Sequence, residues 1–140
     1  MKRLTLAKEI QKSGKGLHTG NIIDIKLLPS EQGGIKFIRT DLEPRVTITA
    51  DSANVTNTQR STTLGKNDVN ISTVEHLLAA LKGKGITDVT IEISGPEVPI
   101  LDGSALPFVE MISEVGIVEL DQEVEPFIVT EIISITDPES

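Results

Sequence analysis

The sequence predicts an α+β fold, a mainly antiparallel β-sheet with two helices packed on one face. Three observations carry that expectation. Short segments in the first half place apolar residues at every second position. Two later segments place them three and four apart, the spacing of a helix stripe. Gly and Pro punctuate the segments, as turns require. The 140 residues suit one domain, and a chain of that size buries roughly 68–70% of the surface its unfolded form exposes. The core must be aliphatic, because Trp and Tyr are absent and only Phe37, Phe108 and Phe127 are aromatic.

The elements follow in order. Leu4 and Leu6, then Ile10, and later Ile23, Ile25 and Leu27, alternate with polar neighbours as half-buried strands do, with SGKGLHTGN as the turn between them. Strands at Ile35–Arg39 and Val46–Thr49 extend an opening antiparallel meander, ended by the Gly of EQGG and the Pro of DLEP. A helix is predicted over 73–81: Ser72 and Glu75 match a capping box, Val74, Leu77, Leu78 and Leu81 form the apolar stripe, and Gly83 and Gly85 close it. DVTIEI is a strand, with Val89, Ile91 and Ile93 on one face. SGPEVPILDG is a proline-punctuated connection. A second helix is predicted over 106–115 from a Ser104 cap, with Pro107 in its first turn and Phe108, Val109, Ile112 and Val115 on its stripe. The acidic stretch after Leu120 leads to one more strand, FIVTEIISI, and the turn sequence TDPES. The domain is expected to occupy 1–125, with 126–140 the start of a second domain or a linker strand.

Charge excludes some partners. The net charge is −8, with 13 basic and 8 acidic residues up to Gly85 and 13 acidic residues without a basic one from Ile86 onward. Such a balance repels a nucleic-acid backbone, and no basic stripe interleaved with aromatics offers a stacking surface. The basic half suits a small anionic substrate or simply solvated lysines. MKRLTLAKEIQ alternates where a signal peptide needs a continuous apolar run, and no segment approaches the roughly 20 apolar residues of a membrane span. A soluble, cytoplasmic protein is the expectation, and the absence of cysteine fits that compartment.

Chemistry concentrates at STVEHLLAAL, where Glu75 directly precedes His76 at a helix start. A helix N-terminus disfavours positive charge, which suits a neutral imidazole ligand and a carboxylate base. Successive helix residues diverge by about 100°, so one side chain can bind a metal while its neighbour reaches a water on it. The residues alone allow a second reading, with Glu75 as capping-box partner and His76 as an ordinary helix histidine. One ligand makes no metal site, since catalytic zinc takes three. His18, in the turn, is equally open to a hydrogen bond that anchors the turn. GKGLHTG is no dinucleotide fingerprint, because Gly14, Gly16 and Gly20 miss the required spacing.

Taken together and in order, GKGLHTG, STVEHLLAAL, GITDVTIEI and GPEVPILDGSALPFVEMI resemble the N-terminal domain of the bacterial UDP-3-O-acyl-N-acetylglucosamine deacetylases over essentially the whole chain. The resemblance implies a zinc-dependent amidase that removes the acetyl group from a nucleotide-sugar lipid precursor, UDP-3-O-acyl-N-acetylglucosamine, in lipid A biosynthesis in the cytoplasm of Gram-negative bacteria. It implies His76 as one zinc ligand and Glu75 as the general base that activates the zinc-bound water. Ser61 and Thr62, in QRSTTL, and His18 with Thr19 match segments beside the substrate pocket. The family's other ligands, a His and an Asp, and its general-acid His belong to a second domain of similar fold in cis, packed so that the helices of both are sandwiched between the sheets. This chain alone is therefore expected to be inactive, to hold zinc weakly if at all, and to self-associate through Leu77, Leu78, Leu81, Phe108 and Ile112 on an uncovered helix layer. A non-enzymatic binding or scaffold domain of the same fold is the alternative. Some family members are fused to a hydroxyacyl carrier-protein dehydratase.

Overall fold

The computed structural model describes residues 1–59 and 61–124. Its strands are β1 (Lys2–Leu6), β2 (Ile10–Lys15), β3 (Ile22–Pro29), β4 (Ile35–Arg39), β5 (Val46–Thr49), β6 (Val55–Asn57), β7 (Thr63–Lys66), β8 (Val69–Ser72), β9 (Val89–Ile93) and β10 (Ile117–Glu123). Helix α1 (Glu75–Gly83) precedes β9 and helix α2 (Leu106–Val115) precedes β10. The expected strand FIVTEIISI and the expected domain boundary at 125 lie outside the described residues.

The central sheet has five strands in the order β2-β3-β9-β4-β5. All its pairs are antiparallel except β4 with β9. Register aligns one apolar row across it: Ile10 faces Leu27, Leu27 faces Ile91, Ile91 faces Phe37 and Phe37 faces Ile48. All five side chains are at most 5% exposed. The alternate positions Asp24, Lys26, Lys36 and Glu92 are exposed or only partly covered, so the sheet has one buried face. Both helices lie on that face, because Leu77, Ala80 and Leu81 of α1 and Phe108 and Ile112 of α2 join the same core cluster. The first strands do not form the expected opening meander. The β2–β3 and β4–β5 hairpins form, but β9 enters between β3 and β4, and β1 pairs with β10 instead of with its sequence neighbours.

Helices of nine and ten residues are marginal alone and owe their stability to these packed faces. α1 ends in a Schellman motif: the Ile86 N–H donates to the Leu81 carbonyl, the Gly85 N–H to that of Lys82, and Gly85 takes φ +77°. α2 starts where expected, with the Ser104 hydroxyl accepting the Leu106 N–H at 3.2 Å. The residues expected to drive self-association are largely covered within this domain. Leu77, Leu81, Phe108 and Ile112 are at most 1% exposed and Leu78 is half-buried, so that expectation loses its basis. No helix among the described residues is long and apolar enough to cross a membrane.

One ion pair fastens β1 to the start of β9. Arg3 Nε and Nη2 donate to the two Asp88 carboxylate oxygens at 2.8 and 3.0 Å. The carboxylate also accepts the Thr87 hydroxyl at 2.8 Å and the Gly34 N–H at 2.9 Å. Burial raises the Asp88 pKa, but Arg3, Thr87 and Gly34 together outweigh it and hold the group below the usual carboxylate range. The folded value lies below the unfolded one, so this contribution is complete above about pH 4 and is lost as pH falls through the lower folded value. Asp88→Ala is expected to cost about 3 kcal/mol, because it leaves the Gly34 N–H and Arg3 without their partner. Denaturant melts as a function of pH check this: the variant should lose the acid-dependent part of its stability between the two values.

Candidate functional site

The approach to α1 is set by Thr73, which is 2% exposed and sits at φ +60°. A β-branched residue in the left-handed region is strained, and here it turns the chain sharply from β8 into the helix. The Val74 N–H donates to the Thr62 carbonyl at 3.4 Å. The Thr62 N–H donates to Glu75 Oε2 at 3.0 Å. Thr62 is therefore held on both sides of its backbone, and Glu75 is aimed at the segment before β7.

This geometry removes the capping box. A Ser72 cap would need helix from Thr73 onward, but the helix starts at Glu75 and its cap position, Val74, makes no side-chain hydrogen bond. Ser72 instead remains in β8 and bridges to Glu97 in parallel, its N–H donating to the Pro96 carbonyl at 2.8 Å and its carbonyl accepting the Val98 N–H at 3.0 Å. Glu75 thus has a structural partner other than the one its spacing suggests.

His76 is half-buried in the first turn of α1. Asp102 lies within its electrostatic reach. The Ser104 hydroxyl and N–H, at 2.7 and 2.9 Å, hold the exposed Asp102 carboxyl below its ordinary pKa, and the His76 charge adds to the same direction. His18 and Thr19 sit with exposed side chains in the turn at 16–21, and both of their backbone N–H groups end on Glu97. Glu97 in turn bridges to Ser72, so the turn, the connection after β9 and the start of α1 are bonded into one framework. Thr62 joins it through Glu75. Ser61 is half-buried beside Thr62, and among the described residues no hydrogen bond ties its side chain to Glu75 or His76.

Sequence reasoning missed Glu97 and Asp102. The Asp-Gly-Ser turn was a signal for Asp102, since Asx side chains bind the N–H two residues on. Glu97 had no local signal, because its partners lie 78 and 79 residues away. The strand pair β7–β8 was also missed. Its signal was present in Asn67-Asp68, whose φ values of 51° and 65° make the two-residue loop of a tight hairpin.

The residues present do not by themselves fit a resident zinc ion. Among the described residues no three His, Cys, Asp or Glu side chains are grouped closely enough to hold a metal, whereas a catalytic zinc takes three protein ligands. Any zinc on His76 needs donors from outside them. Among the described residues, shallow grooves lie elsewhere, including one of about 470 Å³ on the outer sheet face around Lys12, Asp24, Lys26 and Arg45 and one of about 430 Å³ beside Arg3, Lys82 and Ile86.

Residues 3–140 match the family model described as UDP-3-O-acyl N-acetylglycosamine deacetylase. The chain is 53% identical over 114 residues to the UDP-3-O-acyl-N-acetylglucosamine deacetylase of a Geobacter species, covering 81% of this chain and 37% of that protein. It is 43% identical over 134 residues to the enzyme of that name from Myxococcus xanthus, covering 95% and 43%. It is also 44% identical over 140 residues to the bifunctional enzyme LpxC/FabZ of Porphyromonas gingivalis, covering 99% and 30%. The chain thus spans less than half the length of these relatives. It belongs to the UDP-3-O-acyl N-acetylglycosamine deacetylase family.

Proposed function

We propose that this chain is the N-terminal part of a zinc-dependent deacetylase that hydrolyses the acetamide of UDP-3-O-acyl-N-acetylglucosamine in lipid A biosynthesis, in the cytoplasm. The observation that carries the reading is the placement of Glu75. Its carboxylate is not consumed by a helix cap. One oxygen is steadied by the Thr62 N–H, and the other, which accepts no hydrogen bond among the described residues, is the one for proton transfer.

In this reading Glu75 takes a proton from the water that attacks the acetamide carbonyl. The C–N bond then breaks, acetate leaves and the sugar amine is released after protonation by a donor outside the described residues. His76 is one ligand of a zinc ion whose remaining ligands also lie outside them, and the metal supplies Lewis-acid activation when bound. The turn carrying His18 and Thr19 and the segment carrying Ser61 and Thr62 border the substrate. The names of the relatives and their greater length support both the activity and a second domain in cis.

Release of acetate from UDP-3-O-acyl-N-acetylglucosamine by the complete protein tests the reading. Turnover should stop on treatment with a zinc chelator and return when zinc is restored. Chelator-insensitive turnover, or none at all in a zinc-loaded protein, contradicts it.

A further inference from the structure

Three segments prominent in the sequence, 14–20, 72–81 and 95–112, meet at one residue for which the mechanism above has no use: its carboxylate binds the first and its backbone bridges to the second. Glu97 is 1% exposed. Its Oε1 accepts the His18 N–H at 3.0 Å and its Oε2 the Thr19 N–H at 2.7 Å. A buried carboxylate is tolerated only when its oxygens are met by donors, and N–H bonds to a charged acceptor are among the stronger ones. Burial raises the Glu97 pKa, but these two N–H groups, with the Thr19 hydroxyl and His18, outweigh it and lower the net value. The group therefore stays ionised, with each oxygen committed to the turn.

Both sides of this arrangement are built for it. The Glu97 backbone bridges to Ser72, three residues ahead of Glu75. Gly16 supplies the space opposite, since a Cβ there would lie 2.5 Å from Glu97 Cδ and 2.6 Å from its Oε2. The turn is also closed on itself, by the Gly16 N–H on the Asn21 carbonyl at 2.9 Å and the Gly20 N–H on that of Gly16 at 3.0 Å. The Lys15–Ile22 pair of the β2–β3 hairpin holds its base, and Glu97 bonds His18 and Thr19 at its tip to the connection after β9.

We propose that Glu97 is a positioning residue: its buried carboxylate, admitted by Gly16, docks the turn bearing His18 and Thr19 against the strand end that leads to Glu75 and His76, and so sets the substrate-binding face. This rests on the functional reading above. Glu97→Gln retains the shape but sets an NH₂ against one of the two N–H donors. Gly16→Ala keeps the carboxylate but displaces it.

In the complete protein, each substitution should raise KM for UDP-3-O-acyl-N-acetylglucosamine about tenfold and leave kcat within about threefold, the pattern of lost binding without lost chemistry. Zinc content should not change. The His18 and Thr19 amides should exchange with solvent faster in both variants, and the double variant should be no worse than the poorer single one. Unchanged KM and unchanged exchange at those amides in Glu97→Gln overturn the proposal, as does an additive double variant. If Glu97→Gln fails to fold, Gly16→Ala carries the test. If the unmodified protein releases no acetate, the functional reading fails, and the amide exchange alone decides whether Glu97 positions the turn.

Discussion

Glu75→Gln in the complete protein is expected to lower acetate release by about 10²–10⁴-fold, the usual range for loss of a general base. The fold should survive, for a reason specific to this site. The carboxylate accepts the Thr62 N–H through Oε2, and a glutamine carbonyl oxygen accepts the same bond at nearly the same place. Turnover should therefore collapse while the melting temperature stays close to that of the unmodified protein. Glu75→Ala differs: it also removes the acceptor for Thr62, so it should lose turnover and some stability together. Comparing the two variants in a steady-state assay and a thermal melt separates the proton-transfer role from the structural one. Near-normal turnover in Glu75→Gln with a lower melting temperature would leave Glu75 as a brace for the β7 approach.

His76→Ala is expected to remove zinc from the complete protein and, with it, deacetylation. Loss of one of three protein ligands leaves too few donors to hold a catalytic ion. The cost to folding should be small, because His76 is only half-buried, in the first turn of α1, and the packing of that helix depends on Leu77, Ala80 and Leu81. Metal analysis after gel filtration, beside circular dichroism, checks both halves. Zinc retained at the level of the unmodified protein would show that His76 is not a ligand.

Much of this arrangement was legible in the sequence because it is local. The alternation at Ile23, Ile25 and Leu27 and at Val89, Ile91 and Ile93 reported one buried sheet face, and the stripe of Phe108 and Ile112 located α2 to the residue. What stayed hidden depends on contacts between distant segments. Nothing near β9 says that it enters between β3 and β4, or that Leu6 will face Ile117. The Ser72 and Glu75 spacing suggested a cap, but the left-handed turn at Thr73 moves the helix start by two residues and points Glu75 at Thr62 instead. A β-branched residue in that conformation is held there by its surroundings, so its own propensity could not announce it. For the site, the pair Glu75 and His76 was visible as a motif, and the turn with His18 and Thr19 was visible as a segment. The link between them was not, because Glu97 sits in a connection whose prolines and glycine read only as a turn.

In the proposed function, Glu75 and His76 do different chemistry on one side of a site completed outside the described residues. Zinc content per chain and acetate release, measured on the same preparations of the complete protein carrying Glu75→Gln or His76→Ala, test it most directly. Glu75→Gln should keep its zinc and lose turnover, whereas His76→Ala should lose both. Zinc lost from neither variant, or turnover preserved in Glu75→Gln, would contradict it.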